Sequence, residues 1–342
     1  MLQAIMTAPG QIEFRDQPLP GIGAGQVLVK VHRIGVCGSD MHVYHGKHPY
    51  TSYPVVQGHE VSGEIAETGK AVSGLSRGDR VTIQPQVVCG TCHPCRNGRY
   101  HICDSLKVMG FQTMGAASEY FAVDAARVLK VGQETSFDHG AMVEPLAVGV
   151  HALRRAGDVR GKTVLILGAG PIGNLAAQAA RGMGARTVAI TDLSDFRLGI
   201  AASCGIERRL DASTGELGPF IMEAFGPDRP DLMLECIGAN TTIDQAIAQA
   251  RKGSDIIVVG VFEERPKIDL GLVQDRELRL IGTLMYQETD FITAIELIQK
   301  GLVSLSPLVT DHFPFHAYLD AYHHIESHPD RTMKVMIDVV ES

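Results

Sequence analysis

The chain has 342 residues, of which 45% are hydrophobic and 20% are charged, and its formal net charge is −8. This length exceeds what a single compact core usually fills, so we expect two globular domains. Because no cluster of lysine and arginine provides a basic face, the composition argues against a nucleic-acid-binding protein. The chain does not open with a secretory signal and has no uninterrupted apolar segment of transmembrane length, so we predict a cytoplasmic protein without membrane contact.

The first half of the chain shows the pattern of short strands separated by turns. Val27, Val29 and Val31 alternate with their neighbours in the way expected of a strand with one buried face. Further strands are predicted at 61–67 and 80–84, and glycines and prolines separate the strands. We therefore predict an irregular β-barrel.

The pattern changes near residue 144. A helix is predicted at 144–155, with Gly157 as its stop, and short apolar strands then alternate with helical segments. The predicted strands are 163–167, 187–191, 232–236, 255–259 and 277–284, and the helices between them are 171–184, 195–204 and 241–251. This series predicts an α/β fold with a doubly wound parallel sheet. The chain ends with predicted helices at 289–300 and 316–327 and a strand at 333–339.

Four of the seven cysteines lie within 15 residues, at Cys89, Cys92, Cys95 and Cys103. Zinc in structural sites takes four tetrahedral ligands, and short Cys-x2-Cys steps let one turn deliver several of them. Because all four ligands would be sulfur, such a site has no exchangeable position and is structural rather than catalytic. The alternative is a pair of disulfides, which are rare in cytosolic proteins.

A second set of possible metal ligands is dispersed along the chain: Cys37, His59, Glu60 and Glu144. Each alone is more often a core or solvated residue than a ligand. Together they offer the mixture of thiolate, imidazole and carboxylate that suits a catalytic zinc with one exchangeable position.

A glycine-rich motif, Gly168-x-Gly170-x-Ile172-Gly173, follows an apolar strand and opens a helix. This context is typical of dinucleotide binding, since the glycines let the backbone approach a pyrophosphate at the helix N-terminus. Asp192 ends the next strand, where a carboxylate binds ribose hydroxyls and repels a 2′-phosphate. The motif therefore predicts NAD rather than NADP. Arg197 stands five residues after Asp192; from the residues alone it is a solvated helix charge, and a place beside the adenosine ribose is what the resemblance to a known family, given next, implies.

The chain resembles the zinc-containing medium-chain dehydrogenase/reductase family over essentially its whole length. The motifs that carry the resemblance stand in the family's order: Gly35-Val36-Cys37-Gly38-Ser39-Asp40-Met41-His42, Gly58-His59-Glu60, the four cysteines, Glu144-Pro145-Leu146-Ala147 and Gly168-Ala169-Gly170-Pro171-Ile172-Gly173. The resemblance implies a GroES-like catalytic barrel at 1–148 and 287–342 and an NAD-binding Rossmann domain at 149–286. It also implies a homodimer or homotetramer, with 255–259 and 277–284 as candidate edge strands.

Within that family the chain is most similar to the sorbitol (polyol) dehydrogenase branch, which has a Glu-Pro motif where liver-type alcohol dehydrogenases have a third cysteine. The resemblance implies two zinc ions per chain. It implies that Cys37 and His59 bind the catalytic zinc together with Glu60, Glu144 or both. It further implies that the nicotinamide half of NAD is lined by backbone at Val259-Gly260-Val261 and Leu284-Met285-Tyr286.

These features predict a dehydrogenase that transfers a hydride between NAD and a secondary alcohol. Ser39 is the expected first proton acceptor and His42 the solvent end of the relay, because an imidazole exchanges protons near neutral pH. The alternative for both is a role in satisfying loop backbone. Met285 stands where sorbitol dehydrogenases have an arginine, and methionine donates no hydrogen bond, so a polyol, a sugar acid or a small diol remains open as substrate.

Three other functions stay open at this point. One is an L-threonine 3-dehydrogenase on the same scaffold. The second is a non-catalytic NAD-binding protein in which zinc only stabilises a loop. The third is a zinc-free quinone reductase, and the four cysteines and Gly58-His59-Glu60 disfavour this third function.

Overall fold

The structure, a computed structural model, describes residues 1–340. The chain forms two compact units, the first made of Met1–Glu144 with the chain from Val309 onward, and the second of Pro145–Leu308. The strands are β1 (Leu2–Ala8), β2 (Gln11–Asp16), β3 (Gln26–Gly35), β4 (Glu60–Thr68), β5 (Arg80–Ile83), β6 (Gln86–Val87), β7 (Lys107–Val108), β8 (Tyr120–Asp124), β9 (Val128–Lys130), β10 (Thr163–Leu167), β11 (Thr187–Asp192), β12 (Arg208–Asp211), β13 (Leu232–Glu235), β14 (Asp255–Val258), β15 (Arg279–Gly282), β16 (Val309–Pro314) and β17 (Lys334–Asp338).

The α-helices are α1 (Gly38–Tyr44), α2 (His93–Arg96), α3 (Phe137–Ala141), α4 (Val143–Arg154), α5 (Pro171–Gly182), α6 (Asp195–Ser203), α7 (Leu217–Phe225), α8 (Asn240–Gln249), α9 (Leu270–Asp275), α10 (Glu288–Gln299) and α11 (Tyr318–Ser327). Within residues 1–340, none of these helices combines the length and the apolar character needed to cross a membrane.

The first unit is built around a sheet with the strand order β16-β17-β3-β4-β5-β9, and β8 also pairs with β3. The β16–β17 pair is parallel, whereas β3, β4, β5, β8 and β9 pair antiparallel. Val27, Val29 and Val31 of β3 are all fully buried, as their alternation predicts. The core of this unit also includes aromatic side chains of α11, Tyr318 and Tyr322.

The second unit contains a parallel sheet with the strand order β12-β11-β10-β13-β14-β15. Counted from β10, this is the 3-2-1-4-5-6 order of a dinucleotide-binding fold. All five residues of the central strand β10 are buried, which is expected for a strand covered on both faces. The predicted fold class, a GroES-like barrel with a doubly wound Rossmann sheet, is confirmed.

Three elements of the second unit are absent from the prediction, namely β12, α7 and the six-residue helix α9. β12 is an edge strand whose Arg208 and Arg209 are exposed, so no apolar run marks it. α7 contains Gly218 and Pro219 near its start, a pair that is more typical of a turn. The strand predicted at 277–284 is shorter in the structure, because Glu277 adopts a left-handed conformation with φ 49° before β15 begins.

The second unit extends further than the predicted domain 149–286, which leaves α10 in the catalytic domain. In the structure α10 belongs to the second unit because Phe291 and Ala294 are fully buried there and Asp290 contacts α4. The two candidate edge strands also differ. β14 pairs with strands on both sides, so the expectation of an edge at 255–259 is wrong, whereas β15 does lie at the edge.

Candidate metal centre and nucleotide site

Four cysteines converge in the loop between β6 and β7, and we call Cys89, Cys92, Cys95 and Cys103 the thiol cluster. Their sulfur atoms lie within 4.8 Å of one another. β6 and β7 pair antiparallel and so bring the two ends of the loop together. Every cysteine of residues 1–340 is a free thiol, so the disulfide alternative is not what the structure contains.

Backbone N–H groups point at the sulfurs of the thiol cluster. Cys92 N donates to Cys89 Sγ at 3.3 Å, and Cys89 N and Ser105 N donate to Cys103 Sγ at 3.4 Å each. Backbone hydrogen bonds from Thr91 and Cys92 lower the pKa of Cys89 to about 6, whereas desolvation and the neighbouring Cys92 raise the pKa of Cys95 to about 12. Four sulfur donors this close together fit the tetrahedral coordination of zinc, whose positive charge would stabilise them as thiolates.

A second group of ligand atoms, which we call the mixed cluster, consists of Cys37, His59 and Glu60. These atoms also lie within 4.8 Å of one another. Cys37 is the N-cap of α1, and His59 and Glu60 stand where β4 begins. His59 and Glu60 are buried, with 6% and 1% exposure, while Cys37 is partly exposed. Three ligands of different type would leave the fourth position of a tetrahedral zinc ion to water or substrate.

Asp40 supports two members of the mixed cluster from a buried position. Its Oδ2 accepts from Cys37 N at 2.9 Å, and its Oδ1 lies 3.5 Å from His59 Nδ1, an ion-pair distance too long for a well-formed hydrogen bond. Burial opposes a charge on His59, but Asp40 and Cys37 raise the pKa of His59 well above its ordinary value. Gln57 Nε2 donates to Asp40 Oδ1 at 3.2 Å, and Tyr322 donates to Gln57 at 2.8 Å.

Glu60 forms a buried ion pair with Lys334 of β17. Lys334 Nζ lies 2.7 Å and 2.6 Å from the two carboxylate oxygens, and it donates to the carbonyl of Val36 at 3.1 Å. Burial would lower the pKa of Lys334, but Glu60 and, more weakly, Cys37 raise it above its ordinary value. A Cβ at Gly35 would lie 2.2 Å from Glu60 Oε2, so only glycine leaves room for this carboxylate.

The remaining residues predicted for the catalytic site are Glu144, Ser39 and His42, and none of them belongs to the mixed cluster. Glu144 is buried, and its charge also helps to raise the pKa of Lys334, but within residues 1–340 it is not part of either cluster of ligand atoms. Ser39 and His42 are both on α1, three residues apart and hence on one face of the helix. Ser39 is partly exposed and His42 is exposed, which suits a path to solvent.

The glycine-rich segment of the second unit runs from the end of β10 into α5. Gly168 has φ 101°, and a Cβ at Gly173 would lie 1.9 Å from the carbonyl of Gly168, so both positions require glycine. At Gly170 a Cβ would meet nothing closer than Arg197 Nη1, 4.0 Å away. The tight turn with open space above Gly170 fits an approaching pyrophosphate. Ile172, in the first turn of α5, is partly exposed.

Asp192, at the end of β11, is tied to the glycine-rich segment. Its Oδ2 accepts from Ala169 N at 2.7 Å and its Oδ1 from Ser194 N at 2.9 Å. Arg197 Nη1 lies 3.9 Å from Asp192, so the arginine lies beside the carboxylate that is predicted to bind the ribose.

Apolar side chains are unusually exposed where the parallel strands of the second unit end. They follow β11, β13, β14 and β15 and are Leu193 (70% exposed), Ile237 (46%), Val261 (83%) and Leu284 (54%). Val259 and Gly260, just before Val261, donate their N–H groups to the carbonyl of Glu235. Ligands of open α/β sheets bind at this carboxyl edge. Met285 is partly exposed with φ 51°, and Tyr286 is fully buried.

Sequence reasoning missed the residues that support the mixed cluster, namely Asp40, Gln57, Tyr322 and Lys334. Asp40 stands three residues after Cys37, a spacing that is typical of a capping box and could have identified it. Nothing in the sequence around Lys334 or Tyr322 signals a contact with residues 57–60, because the contact depends on the return of the chain to the first unit.

Two family models match the chain: the alcohol dehydrogenase GroES-like domain over residues 23–133 and the zinc-binding dehydrogenase over residues 171–300. Sorbitol dehydrogenase of Ovis aries is 34% identical over 342 residues, covering 98% of this chain and 96% of the relative. The 2-dehydro-3-deoxy-L-galactonate 5-dehydrogenase of Pseudoalteromonas atlantica is 34% identical over 316 residues, covering 92% of each.

Solved structures show the same fold over the whole chain. An alcohol dehydrogenase of Escherichia coli CFT073, solved with NADH, is 29% identical with a TM-score of 0.91 and covers 99% of both chains. A zinc-binding dehydrogenase of Sinorhizobium meliloti 1021, bound to NADP, is 30% identical with a TM-score of 0.90 and covers 98% of both chains.

The barrel, the Rossmann sheet and these matches define a zinc-dependent dehydrogenase that uses a nicotinamide dinucleotide. More particularly, the chain belongs to the zinc-containing medium-chain dehydrogenase/reductase family, and the predicted resemblance to its polyol dehydrogenases is confirmed.

Proposed function

We propose that this dehydrogenase oxidises a secondary alcohol of a polyol or sugar acid with NAD, and that each chain holds one structural and one catalytic zinc. The observation that carries the proposal is the mixed cluster, in which Cys37, His59 and Glu60 bring three different donor atoms within 4.8 Å of one another. A protein that only binds NAD has no need of such a site.

The catalytic zinc would be held by Cys37, His59 and Glu60. When bound there, zinc supplies Lewis acidity that lowers the pKa of an alcohol, and NAD accepts the hydride. The thiol cluster would hold the structural zinc through four sulfurs. Since Glu144 lies outside the mixed cluster, we propose Glu60 as the carboxylate ligand and a nearby, charged role for Glu144.

The chain's own residues handle the proton and the orientation of the ligands. Ser39 would accept the alcohol proton at its hydroxyl oxygen and release its own hydroxyl proton toward His42, which lies on the same helix face and would pass a proton to solvent. Asp40 orients His59 from the side of Nδ1. Lys334 fixes the Glu60 carboxylate and balances its charge.

NAD rather than NADP is supported by Asp192. Its carboxylate is held by the N–H groups of Ala169 and Ser194, so it is fixed at the place where a 2′-phosphate would bring further negative charge. Arg197 lies 3.9 Å from Asp192 and partly balances that charge. Ile172, Val259, Gly260, Val261 and the 284–286 backbone are proposed to line the rest of the cofactor.

The substrate class is supported by relatives that act on polyols and on sugar acids by name. Met285 cannot donate a hydrogen bond to a substrate hydroxyl. The mixed cluster disfavours both a zinc-free quinone reductase and a non-catalytic binder. An L-threonine 3-dehydrogenase would need groups for an ammonium and a carboxylate, and a substrate panel tests it directly.

We also propose a homodimer or homotetramer that uses β15, one of the two edge strands of the Rossmann sheet. An edge strand offers unpaired backbone groups to a second copy of the chain.

The test is zinc analysis followed by a substrate panel. We expect two zinc ions per chain and NADH formation with at least one of a set of polyols, hexonates, small diols and threonine. One zinc without turnover would support the non-catalytic binder, and no zinc would support the reductase.

A further inference from the structure

A strained segment, residues 283–287, connects β15 to α10, and we refer to it as the 283–287 turn. Met285, in its middle, has φ 51°, a conformation that residues with a Cβ rarely adopt. Tyr286 beside it is fully buried, with its ring edge-on to Phe291 at 4.8 Å between centroids. Strained backbone of this kind persists only where the surrounding structure holds it.

The last turn of α4 and the residue that follows it, Arg155, hold the segment on both sides. Before the 283–287 turn, Arg155 Nε donates to the carbonyl of Gly282 at 3.1 Å. After it, Asp290 in the first turn of α10 lies 2.7 Å from His151 Nδ1 and accepts from Arg154 Nη1 at 2.7 Å. Asp290 also accepts from Gln287 N at 2.8 Å, so one carboxylate joins α4, α10 and the end of the turn.

Asp290 is more elaborately held than a helix cap requires. Capping α10 needs only the bond from Gln287 N, yet Asp290 is 1% exposed and has two further partners from α4. Arg154 also donates to Thr293 at 2.7 Å, which fixes the guanidinium against α10. Burial alone would raise the pKa of Asp290, but His151 and the Gln287 N–H lower it, so the group is a carboxylate.

We propose that Asp290, held by His151 and Arg154, is a positioning residue that keeps Met285 in its left-handed conformation and so presents the 284–286 backbone to the nicotinamide. The inference rests on the proposed function, which assigns this backbone to the nicotinamide half of NAD. Asp290 itself does not contact the cofactor. It acts on the turn through its bonds to α4 and to Gln287.

The test compares NAD with ADP-ribose, which lacks only the nicotinamide, by calorimetric titration of the purified full-length protein. Asp290→Asn should weaken NAD binding about tenfold, the effect of losing one charge-assisted hydrogen bond, and leave ADP-ribose binding unchanged. Glu296→Gln, on the same helix but paired with Lys300 at the surface, is the control and should bind both as the parent does. An equal loss for both ligands would mean general damage and would overturn the proposal.

A double-mutant cycle tests the link to Met285. Glycine adopts a left-handed conformation without steric cost, so Asp290→Asn should weaken NAD binding less in a Met285→Gly background than in the parent. Strictly additive effects would show that Asp290 does not act through Met285 and would overturn the proposal.

If Asp290→Asn does not fold, Arg155→Met removes only the bond to Gly282 and should give a smaller loss that is again confined to NAD. A loss that extends to ADP-ribose, or no loss, counts against the proposal. A parent protein that binds ADP-ribose as tightly as NAD would also overturn the proposal, whereas a parent protein that forms no NADH with any substrate of the panel would refute the proposed function instead.

Discussion

The thiol cluster and the mixed cluster are both sets of possible metal ligands, but the chain assembles them in opposite ways. The thiol cluster comes from one loop of 15 residues, and Cys89 at its rim is exposed. The mixed cluster joins the cap of α1 to the start of β4, and its support comes from β17 and α11 at the far end of the chain. The thiol cluster can therefore form locally, whereas the mixed cluster exists only once the barrel is complete.

The comparison also gives a physical reason for the different roles that we propose for the two clusters. A closed shell of four sulfurs has no place for a substrate oxygen. The mixed cluster has three ligands, and charges beside it, on Asp40 and Lys334, are neutralised inside the protein rather than by water. Removal of one ligand should therefore lower stability at the thiol cluster and turnover at the mixed cluster.

Replacing a ligand of the mixed cluster should abolish chemistry. Cys37→Ala is expected to lower kcat by about a thousandfold or more, since several kcal/mol of alkoxide stabilisation is lost, while NAD binding remains close to that of the parent. The measurements are NADH formation at saturating substrate and titration with NAD. Cys204→Ala, a buried cysteine outside both clusters, is the control and should keep two zinc ions. Retained turnover in Cys37→Ala would refute the metal assignment.

Replacing Lys334 should destabilise the fold, because it leaves the buried Glu60 carboxylate without a partner. Lys334→Met leaves Glu60 buried without its partner, so the free energy of unfolding of the zinc-free protein should fall by about 3–5 kcal/mol. The loss should be smaller with zinc bound, because the metal charge then neutralises Glu60. Denaturant unfolding with and without chelator measures both.

The matched control for Lys334→Met is Lys130→Met. Lys130 pairs with Asp79 at 2.7 Å, but its side chain is 48% exposed, so the change should cost less than about 1 kcal/mol. If Lys334→Met lowers the free energy of unfolding equally in the presence and absence of zinc, Glu60 is not a ligand of the metal.

A ligand of the thiol cluster should matter for stability rather than for chemistry. Cys92→Ser is expected to lose one zinc and about 3 kcal/mol of stability, the value for releasing a closed loop of about 15 residues, while kcat at low temperature stays near that of the parent. A loss of kcat as large as that of Cys37→Ala would erase the distinction between the two clusters.

The smallest effect is expected at Asp192. Like the mixed cluster, its carboxylate connects parts of the chain that are not adjacent in sequence, because it accepts from Ala169 N as well as from Ser194 N. Asp192→Ala should raise the KM for NAD about tenfold, because a ribose-binding charge and the bond to Ala169 N are both lost, and should narrow the preference for NAD over NADP. Steady-state kinetics with both cofactors measure the change. An unchanged KM would remove Asp192 from the ribose site.

Much of the fold was predictable because its signals are local. The apolar strands 163–167 and 187–191 and the glycine-rich motif carry their own periodicity and turn chemistry, and the structure contains them nearly as predicted. β12 and α7 were not predictable in this way, because an exposed edge strand and a helix that starts with Gly218 and Pro219 lack those signals. The site residues predicted from motifs remain predictions that the experiments above test.

Spacing within a few residues was enough to predict the thiol cluster and the dinucleotide-binding motif, since such spacing controls turns, caps and helix starts. The ligands of the mixed cluster are dispersed along the chain, and it took the tertiary structure to show that Glu60 rather than Glu144 lies within reach of Cys37 and His59, and that Lys334, 274 residues away, neutralises Glu60. It also decided that His151 and Arg154 meet Asp290 beside the strained Met285. The physical reason is that burial and charge pairing depend on which distant strands and helices pack together, and no local pattern encodes that.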